Sequence, residues 1–593
     1  MQNLIQAIAY ISIAATAISY LFDFIFLLIG IAAIHRQKIF FMRHASAGSP
    51  PTMAVLVPCF NEEKSIVKSI AFLRRIRYPG LQVIMINDGS RDQTLACMVK
   101  ELGLKPVHAK PLGTIPTAKL REIYRSTCGR FTVIDKENGG KADSLNAGIN
   151  LAETELVTCV DADTLIHENA LARLVAPFIE DPRIIAVGGN VRIKNGSEAA
   201  SDFPSRLRAP KKLLPRLQAV EYVRSINIAR NALSRLNANL IISGAFGVFQ
   251  TRLLRELSGY EKMSKGEDFE LVMRLHLAML EKGRPYRIGQ VYFADAFTDG
   301  PESIRELASQ RKRWQVGFIS TLRAHAAKLL RFPKSPAAFF ALPYLLFFEL
   351  LAPLFQLVSY VVLPLLFVFQ ILELRFLVLT AAAAAFNACI NTGFLAVDFH
   401  YHSFYGGREK ARLYCAALCE PFFYHQLNCY WKFSGAVESL RKVFIKAAWR
   451  PPRGQNAKEA PREREAVERI NTWDCGLEIG TNHTSLYRER IIILSLVGQF
   501  KPADIDRFRM LVEYYRKKNR QRFILEMKEL EELSTAALAF ILKLSRELKG
   551  GNGGLVILQP HQKIRDELRI SNAKKEIQVV QHYADAIQGL QFR

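Results

Sequence analysis

Several things are scarce in this sequence. Its 593 residues hold nine cysteines. Cys59, Cys97, Cys128, Cys159, Cys389, Cys415, Cys419, Cys429 and Cys475 form neither a CxxC pair nor a zinc-ligand spacing, which excludes a disulfide-built secreted protein and a zinc module. They read as reduced, mostly buried side chains of a cytoplasm-facing protein. No GxxxxGK[ST] phosphate loop occurs and no internal repeat is visible. Acidic side chains are the minority charge, 55 against 80 Lys and Arg, giving a net +25. Such an excess fits nucleic acid, an anionic membrane surface or anionic substrates. Nucleic acid would explain the charge and nothing else, so no nucleic-acid partner is expected. With half its residues hydrophobic but 23% charged, the chain is neither disordered nor a membrane bundle throughout. Its length suggests three or four domains.

Long apolar runs are few and well separated. Leu4 to Ile34 is long enough to cross a bilayer of roughly 30 Å. Met1-Gln2-Asn3 lacks the basic start of a cleaved signal peptide. Arg36, Lys38 and Arg43 follow the run and place the next segment in the cytoplasm. Ala337 to Leu372 and Phe376 to Val397, separated by Glu373-Leu374-Arg375, read as an out-and-back pair. Pro343, Pro353 and Pro364 should kink the first or divide it into interfacial and spanning parts. Leu413 to Phe433 carries Glu420, Pro421, His425, Gln426 and Asn428, and reads as interfacial or re-entrant. The expected layout is an N-terminal anchor (1–45), a cytoplasmic domain (50–320), membrane or interfacial helices (337–433), a linker (450–469) and a small C-terminal domain (475–593). The whole reads as a multi-pass protein of the inner (cytoplasmic) membrane in contact with membrane lipid.

From Met53 onward the pattern changes. Met53–Val57, Gln82–Ile86, Phe131–Ile134, Leu156–Val160 and Ile184–Val187 are strand-like. Glu63–Arg75, Lys141–Ala152 and Leu171–Ile179 are helix-like. The alternation predicts an α/β fold with a mostly parallel sheet, whose ligands bind beyond the carboxyl ends of the strands. Those ends carry Asn61, Glu62 and Glu63, then Asn87-Asp88-Gly89, then Asp161-Ala162-Asp163. Any one is an ordinary turn or cap, but three acidic strand ends in one sheet suggest a site. Two carboxylates spaced i, i+2 can converge on a hard cation whose remaining ligands are substrate phosphates, and such a cation makes a diphosphate a good leaving group. Gly139-Gly140-Lys141 opens a helix whose amide end suits phosphate. Further on stand Ser243-Gly244-Ala245, Gly266-Glu267-Asp268 and Gln310-Arg311-Lys312-Arg313-Trp314.

In order, the motifs are VPCFNEE, NDG, NGGKADSLNAG, DAD, SGAFG, GEDFEL and QRKRW. This set resembles the membrane-embedded processive glycosyltransferases of family 2, the group of cellulose, chitin, hyaluronan and poly-N-acetylglucosamine synthases. The resemblance covers about residues 50–320, with Phe60 standing where Tyr is common. It implies a GT-A (Rossmann-like) domain, a nucleotide-sugar donor such as a UDP-sugar, Mg²⁺ or Mn²⁺, and inversion at the anomeric carbon. By position it implies that Asn61, Glu62 and Asp88 hold the nucleoside, that Lys141 faces the diphosphate, and that Asp143 lines the donor pocket. Asp161 would meet the nucleotide and the metal, and Asp163 the metal. Asp268 would be the general base, with Glu267 beside it in the catalytic pair. Gln310, Arg313 and Trp314 would close over the diphosphate and position the acceptor, a growing glycan or a lipid. Single transfer to a lipid carrier is the alternative, which QRKRW beside membrane helices disfavours.

The C-terminal stretch alternates again. A strand element spans Arg490–Phe500, a helix Asp504–Lys518, a strand Arg522–Met527, a helix Thr535–Leu548, and a strand Leu555–Gln559 after a tight Gly550–Gly554 loop. It resembles a STAS domain, a small α/β module. The turn that carries Asp-Ser-Ser/Thr-Gly in that family reads Ser534-Thr535-Ala536-Ala537 here. Thr535 keeps a hydroxyl as a candidate regulatory residue, but the acid and glycine are gone, so docking of a protein partner is the expectation. An anion transporter with a STAS end would need many more spanning helices.

Overall fold

The computed structural model describes residues 2–43, 50–197, 205–447, 469–470, 477–484, 491–517, 522–550, 554–560, 562–570, 577–580 and 585. Nearly all of the expected linker, Cys475 and the middle of the Gly550–Gly554 loop lie outside the described residues. The chain divides into two units, Met1–Pro451 and Pro452–Arg593.

The first unit is built on a ten-stranded sheet: β1 Met53–Cys59, β2 Gln82–Asp88, β3 Leu104–Pro106, β4 Leu120–Ser126, β5 Phe131–Lys136, β6 Leu156–Cys159, β7 Leu165–Ile166, β8 Ile184–Ile193, β9 Gly247–Gln250 and β10 Arg287–Thr298. The order is β3-β4-β5-β2-β1-β6-β9-β8-β10-β7. Strands β5, β2, β1 and β6 run parallel, as do β8 and β10. The sheet is therefore mixed rather than mostly parallel, because β9 enters antiparallel between β6 and β8 and the edge strands β3, β4 and β7 also pair antiparallel. The five strands read from the sequence, β1, β2, β5, β6 and β8, all run the same way. The antiparallel strands β3, β4, β7 and β9 were not read there, because β3, β7 and β9 are only two to four residues long and β4 is interrupted by charge.

Burial explains the continuous apolar strands. On β1, Met53, Val55, Val57 and Cys59 enter one core cluster, while Ala54 and Leu56 enter another on the opposite face. Val83 and Met85 against Ile84 and Ile86 repeat the alternation on β2. A sheet covered on both faces needs apolar residues at every position. Helices Lys141–Leu151 and Glu267–Glu281 supply one cover.

The other cover continues into long apolar helices. Tyr20, Leu27, Ile34, Ile390 and Phe394 belong to the same core cluster as β1 and β2. Among the described residues, three helical stretches are long and apolar enough to cross a membrane, Asn3–Met42, Ala337–Val368 and Leu374–Tyr401. The first belongs to a 42-residue helix, Gln2–Arg43, which at roughly 1.5 Å per residue is about twice as long as a bilayer core is thick. Its far end meets the sheet: Gln37 Nε2 donates to Gln290 O at 2.8 Å, and Gln37 Oε1 accepts from Tyr292 N at 2.9 Å. Ala337–Val368 is one helical path and is not divided at its prolines. A π-type turn precedes each of Pro343, Pro353 and Pro364, since a residue without an N–H is accommodated by widening the preceding turn.

The expectation of an interfacial or re-entrant segment at Leu413–Phe433 is corrected on one point. It lies within one unbroken helix, Gly407–Ala447, with Pro421 inside it. Its polar residues point inward, where Glu420 accepts from Asn391 Nδ2 at 3.0 Å and pairs with Arg224 at 3.3 Å. Phe422 is 63% exposed, so the helix is apolar outside and polar inside. The same inversion corrects the cysteine expectation. Cys59, Cys159 and Cys429 are buried, but Cys128, Cys389, Cys415 and Cys419 are exposed, three of the four on these outer helices.

The second unit is a six-stranded sheet in the order β11-β12-β13-β14-β15-β16: β11 Arg469–Ile470, β12 Leu477–Thr484, β13 Ile491–Phe500, β14 Arg522–Leu533, β15 Gly554–Leu558 and β16 Gln578–Val580. From β13 to β16 the strands run parallel. Phe500, Phe508, Phe523, Leu525, Ala537 and Ile541 fill a separate core.

Candidate active site

The strand ends of the first unit are tied together by their own polar groups. Asn61, just past β1, has a positive φ of 57°, a conformation Asn tolerates better than most residues. Its N–H donates to Ser90 Oγ at 3.0 Å and its Oδ1 accepts from Arg91 N at 2.9 Å. Glu62 N donates to Thr94 Oγ1 at 2.7 Å. The loops after β1 and β2 are thus stitched into one rim. Beside it opens a cavity of about 530 Å³, lined among others by Asn87, Ser90, Asp92, Leu95, Arg121 and Asp135. Asn87 belongs to a strand-end motif read from the sequence, whereas Asp135 was not singled out there. They sit on adjacent strands and share a 2.7 Å hydrogen bond, a pairing visible only once β2 and β5 are neighbours.

Asp88 and Asp143 form the floor. Asp88 accepts from Gly139 N at 2.9 Å, Gly140 N at 2.8 Å and Lys136 Nζ at 2.5 Å. Asp143 accepts from Lys136 Nζ at 2.8 Å, from Lys262, and from Ala118 N at 3.1 Å. Burial opposes the Asp143 charge, yet Lys136 and Lys262 bring its pKa below the ordinary carboxylate value. Both side chains are almost fully buried and engaged by these donors. They shape the Gly139-Gly140 loop. A Cβ on Gly139 would sit 2.5 Å from Asp143 Cγ, so that position has no room for a side chain, and Gly140 stands at φ 86°, a conformation that favours glycine. Lys136, buried between the two acids, was missed because an interior lysine has no sequence signature.

Above the floor, Lys141 gathers three motifs. Its Nζ lies 2.5 Å from Asp161, 3.9 Å from Glu267 and 3.5 Å from Gly244 O. Burial works against its charge, but Asp161 and Glu267 together hold its pKa above the usual lysine value. Glu267 is raised by burial, with Lys141 opposing. Asp163 reaches solvent, yet the protein around it, and then Asp161, push its carboxyl upward. Asp268 Oδ2 accepts from Gly244 N at 3.1 Å, which ties the second acid of GED to the SGA turn. The donor set Asp161 and Asp163 is hard oxygen, suited to Mg²⁺ or Mn²⁺. Among the described residues no three His, Cys, Asp or Glu side chains form a ready metal cage, so a cation here would depend on substrate oxygens for the rest of its shell.

The helix Ile304–Leu329 carries Gln310, Arg313 and Trp314 and presses on the turn before Asp268. A Cβ on Gly317 would come within 2.8 Å of Gly266 N, and Phe318 stacks on Phe269 at 5.4 Å. His325 Nε2 lies 3.0 Å from Glu270 Oε1. Trp314 is 42% exposed. The structure thus brings Lys141, Asp161, Glu267 and Asp268 together, joins the Asn61 and Glu62 loop to the Ser90 loop, and sets the Trp314 helix against the Asp268 turn. Thr535 stands apart in the second unit.

Strand-end carboxylates around a lysine, on a mixed sheet flanked by apolar helices, define a class. Residues 50–317 match the family profile described as glycosyltransferase like family 2, and residues 486–586 match the STAS domain. The chain carries a family 2 glycosyltransferase domain on a GT-A-like mixed sheet, followed by a STAS domain. Among relatives, it is 29% identical over 287 residues to a poly-beta-1,6-N-acetyl-D-glucosamine synthase of Staphylococcus aureus (strain COL), covering 47% of this chain and 58% of that one. A synthase of the same name from Staphylococcus epidermidis is 29% identical over 266 residues, covering 45% and 54%. The match thus spans little more than half the length of these relatives. Among solved structures, a mannosyltransferase from Pyrobaculum calidifontis in complex with GDP-Man and Mn²⁺ aligns over 73% of this chain and 99% of its own, with 19% identity and a TM-score of 0.42.

Proposed function

We propose that the first unit is an inverting glycosyltransferase that extends a polysaccharide from a nucleotide-sugar donor at a membrane. The observation that carries this is the convergence of Asp161, Glu267 and, through Gly244, Asp268 around Lys141, with Trp314 one helical turn from Gly317, which packs on the turn before Asp268. Under this reading the Asn61–Ser90 rim and the cavity beside it receive the nucleoside. Asp161 and Asp163 hold Mg²⁺ or Mn²⁺, which when bound neutralises charge on the departing diphosphate. Lys141, already cationic, faces the same diphosphate. Asp268 takes the proton from an acceptor hydroxyl, whose oxygen forms the new bond to the anomeric carbon as the bond to the diphosphate breaks. Gln310 and Arg313 close over the diphosphate, and the exposed indole of Trp314 supplies an apolar face for the acceptor sugar ring.

Processive synthesis fits the apolar helices continuous with the catalytic core. The reading places the enzyme in the inner membrane as a multi-pass protein, its catalytic domain cytoplasmic and its STAS domain a docking module for a protein partner. The names of the relatives make UDP-N-acetylglucosamine the first donor to try. The test is purified protein in lipid with a panel of UDP-sugars, measuring released UDP and product length. A long polymer from one donor is expected. Release of UDP with only a monoglycosylated lipid would favour single transfer to a lipid carrier, and no consumption of any donor would overturn the assignment.

A further inference from the structure

Trp314 does not stand alone. The guanidinium of Arg311 lies over its ring, 4.5 Å from the centroid, so one indole face is already covered. Arg311 cannot easily move, because its Nη2 is 2.8 Å from Glu221 Oε2. The same oxygen accepts from the hydroxyl of Tyr424 at 2.6 Å. Arg311 is 7% exposed, Glu221 16%, and Tyr424 is fully buried. Burial opposes the Arg311 charge, but Glu221 holds it in the cationic form. Three helices meet at one carboxylate oxygen: Leu213–Tyr222, Ile304–Leu329 and Gly407–Ala447.

We infer that Glu221, Arg311 and Tyr424 are positioning residues that fix the plane of Trp314 and leave only its outer face for the acceptor sugar. The inference rests on the glycosyltransferase reading and assigns to it residues outside the strand-end site. The physical reason is that a half-exposed indole on a helix has several rotamers open to it. A guanidinium held over one face by a buried charge-assisted bond removes that freedom, so the acceptor meets a preformed platform. Tyr424 extends the constraint to the long helix Gly407–Ala447, so that outer helix and platform share one hydrogen-bonded oxygen.

A double-mutant cycle tests this in the full chain, with a short oligosaccharide acceptor and the KM for acceptor measured separately from the KM for donor. Glu221→Gln should raise the acceptor KM on the order of tenfold, while the donor KM changes far less. In a Trp314→Ala background, Glu221→Gln should have almost no further effect, because the group through which it acts is gone. Equal effects in both backgrounds, or an acceptor KM that does not move, would overturn the inference. Should Glu221→Gln not fold, Tyr424→Phe removes one hydroxyl, leaves the Arg311 pair, and is read in the same cycle with a smaller rise. If the native chain transfers no sugar at all, the functional reading itself fails and this inference falls with it.

Discussion

The two units are built alike and equipped differently. Each is a sheet with a parallel core and covering helices, and in each a helix begins just beyond a strand end. In the first unit those junctions hold charge: Lys141 with Asp161 and Glu267, Lys136 with Asp88 and Asp143. In the second, the junction after β14 sets Ser534 and Thr535 behind two exposed glutamates, Glu531 and Glu532. Ser534 caps the helix Thr535–Gly550, its Oγ accepting from Ala537 N at 3.3 Å and its carbonyl from Leu538 N at 2.9 Å, while Thr535 is exposed. Concentrated, partly desolvated charge is costly to hold and is therefore informative about chemistry. A hydroxyl at a helix start is cheap and serves as a cap. The comparison teaches that architecture alone does not separate the two units, whereas the buried charge at their strand ends does.

The largest effect expected on that contrast comes from the metal. Chelation with EDTA should abolish donor turnover, and Mn²⁺ or Mg²⁺ should restore it. Asp163→Ala should stay inactive when the metal is restored. Full turnover of Asp163→Ala in chelator would show that the strand-end acids are not metal ligands and would erase the distinction drawn here.

Next is the proton acceptor. Asp268→Asn keeps the size of the side chain and can still accept from Gly244 N, so the local turn should persist. Transfer should fall by about 10²–10⁴, the usual contribution of a general base, with donor binding by calorimetry retained. A native rate would remove Asp268 from catalysis.

A structural counterpart tests whether buried charge in the first unit also joins sheet to helix. Arg192 on β8 is held by Asp295 at 2.6 Å and by Asp398 at 2.9 Å from each of its Nη atoms, and Asp398 belongs to the helix Leu374–Tyr401. Arg192→Met would leave two buried carboxylates with only Tyr292 and His402 beside them, and removing one partner of such a set costs about 3–5 kcal/mol. A lowered thermal midpoint in detergent is the expected reading. An unchanged midpoint would mean that the helix is not anchored to the sheet through this arginine.

A smaller effect of opposite sign belongs to Glu267. Its carboxyl is raised by burial against the opposing pull of Lys141, so its ionised form costs folding free energy once pH exceeds the ordinary carboxylate value. Glu267→Gln should therefore raise the thermal midpoint at neutral pH even as it lowers turnover. The gain should fade as pH falls through the raised value, where native Glu267 is itself neutral. Destabilisation at neutral pH would mean that the Lys141 contact outweighs the burial.

Much of this was legible in the sequence, and for a physical reason. Strand-end motifs must sit where the backbone turns, so Asn61, Asp161 and Asp268 are marked by the apolar runs or helix starts beside them. Helix starts such as Lys141 and Thr535 were legible within a residue. Pairings across distance were not. Lys136 between Asp88 and Asp143, Asn87 with Asp135, and Glu221 with Arg311 and Tyr424 each join residues far apart in the chain, and no local period encodes them. The antiparallel strands β3, β4, β7 and β9 were missed as well, since three of them are only two to four residues long and β4 is interrupted by charge, and so was the unbroken course of Gly407–Ala447. There, inward-facing Glu420 and outward-facing Phe422 give the mixed composition that made a break plausible.

The smallest effects are expected at the junction after β14, where two neighbouring hydroxyls should behave differently. Ser534 satisfies an N–H of the first turn of its helix, and losing such a cap costs about 1 kcal/mol. Ser534→Ala should accordingly lower the midpoint of the transition that reports the C-terminal unit. Thr535 sits one residue on, exposed, and exposed substitutions of this kind stay within about 0.5 kcal/mol. Thr535→Ala should leave that midpoint and the rate of donor turnover in detergent where they were. If Thr535 regulates assembly with a partner, its substitution should change polymer yield in cells alone, and a phosphate there would be welcomed by the amide end of the helix. A drop in detergent turnover with Thr535→Ala would break the division proposed between the two units, because it would place a hydroxyl of the second unit in the working parts of the first.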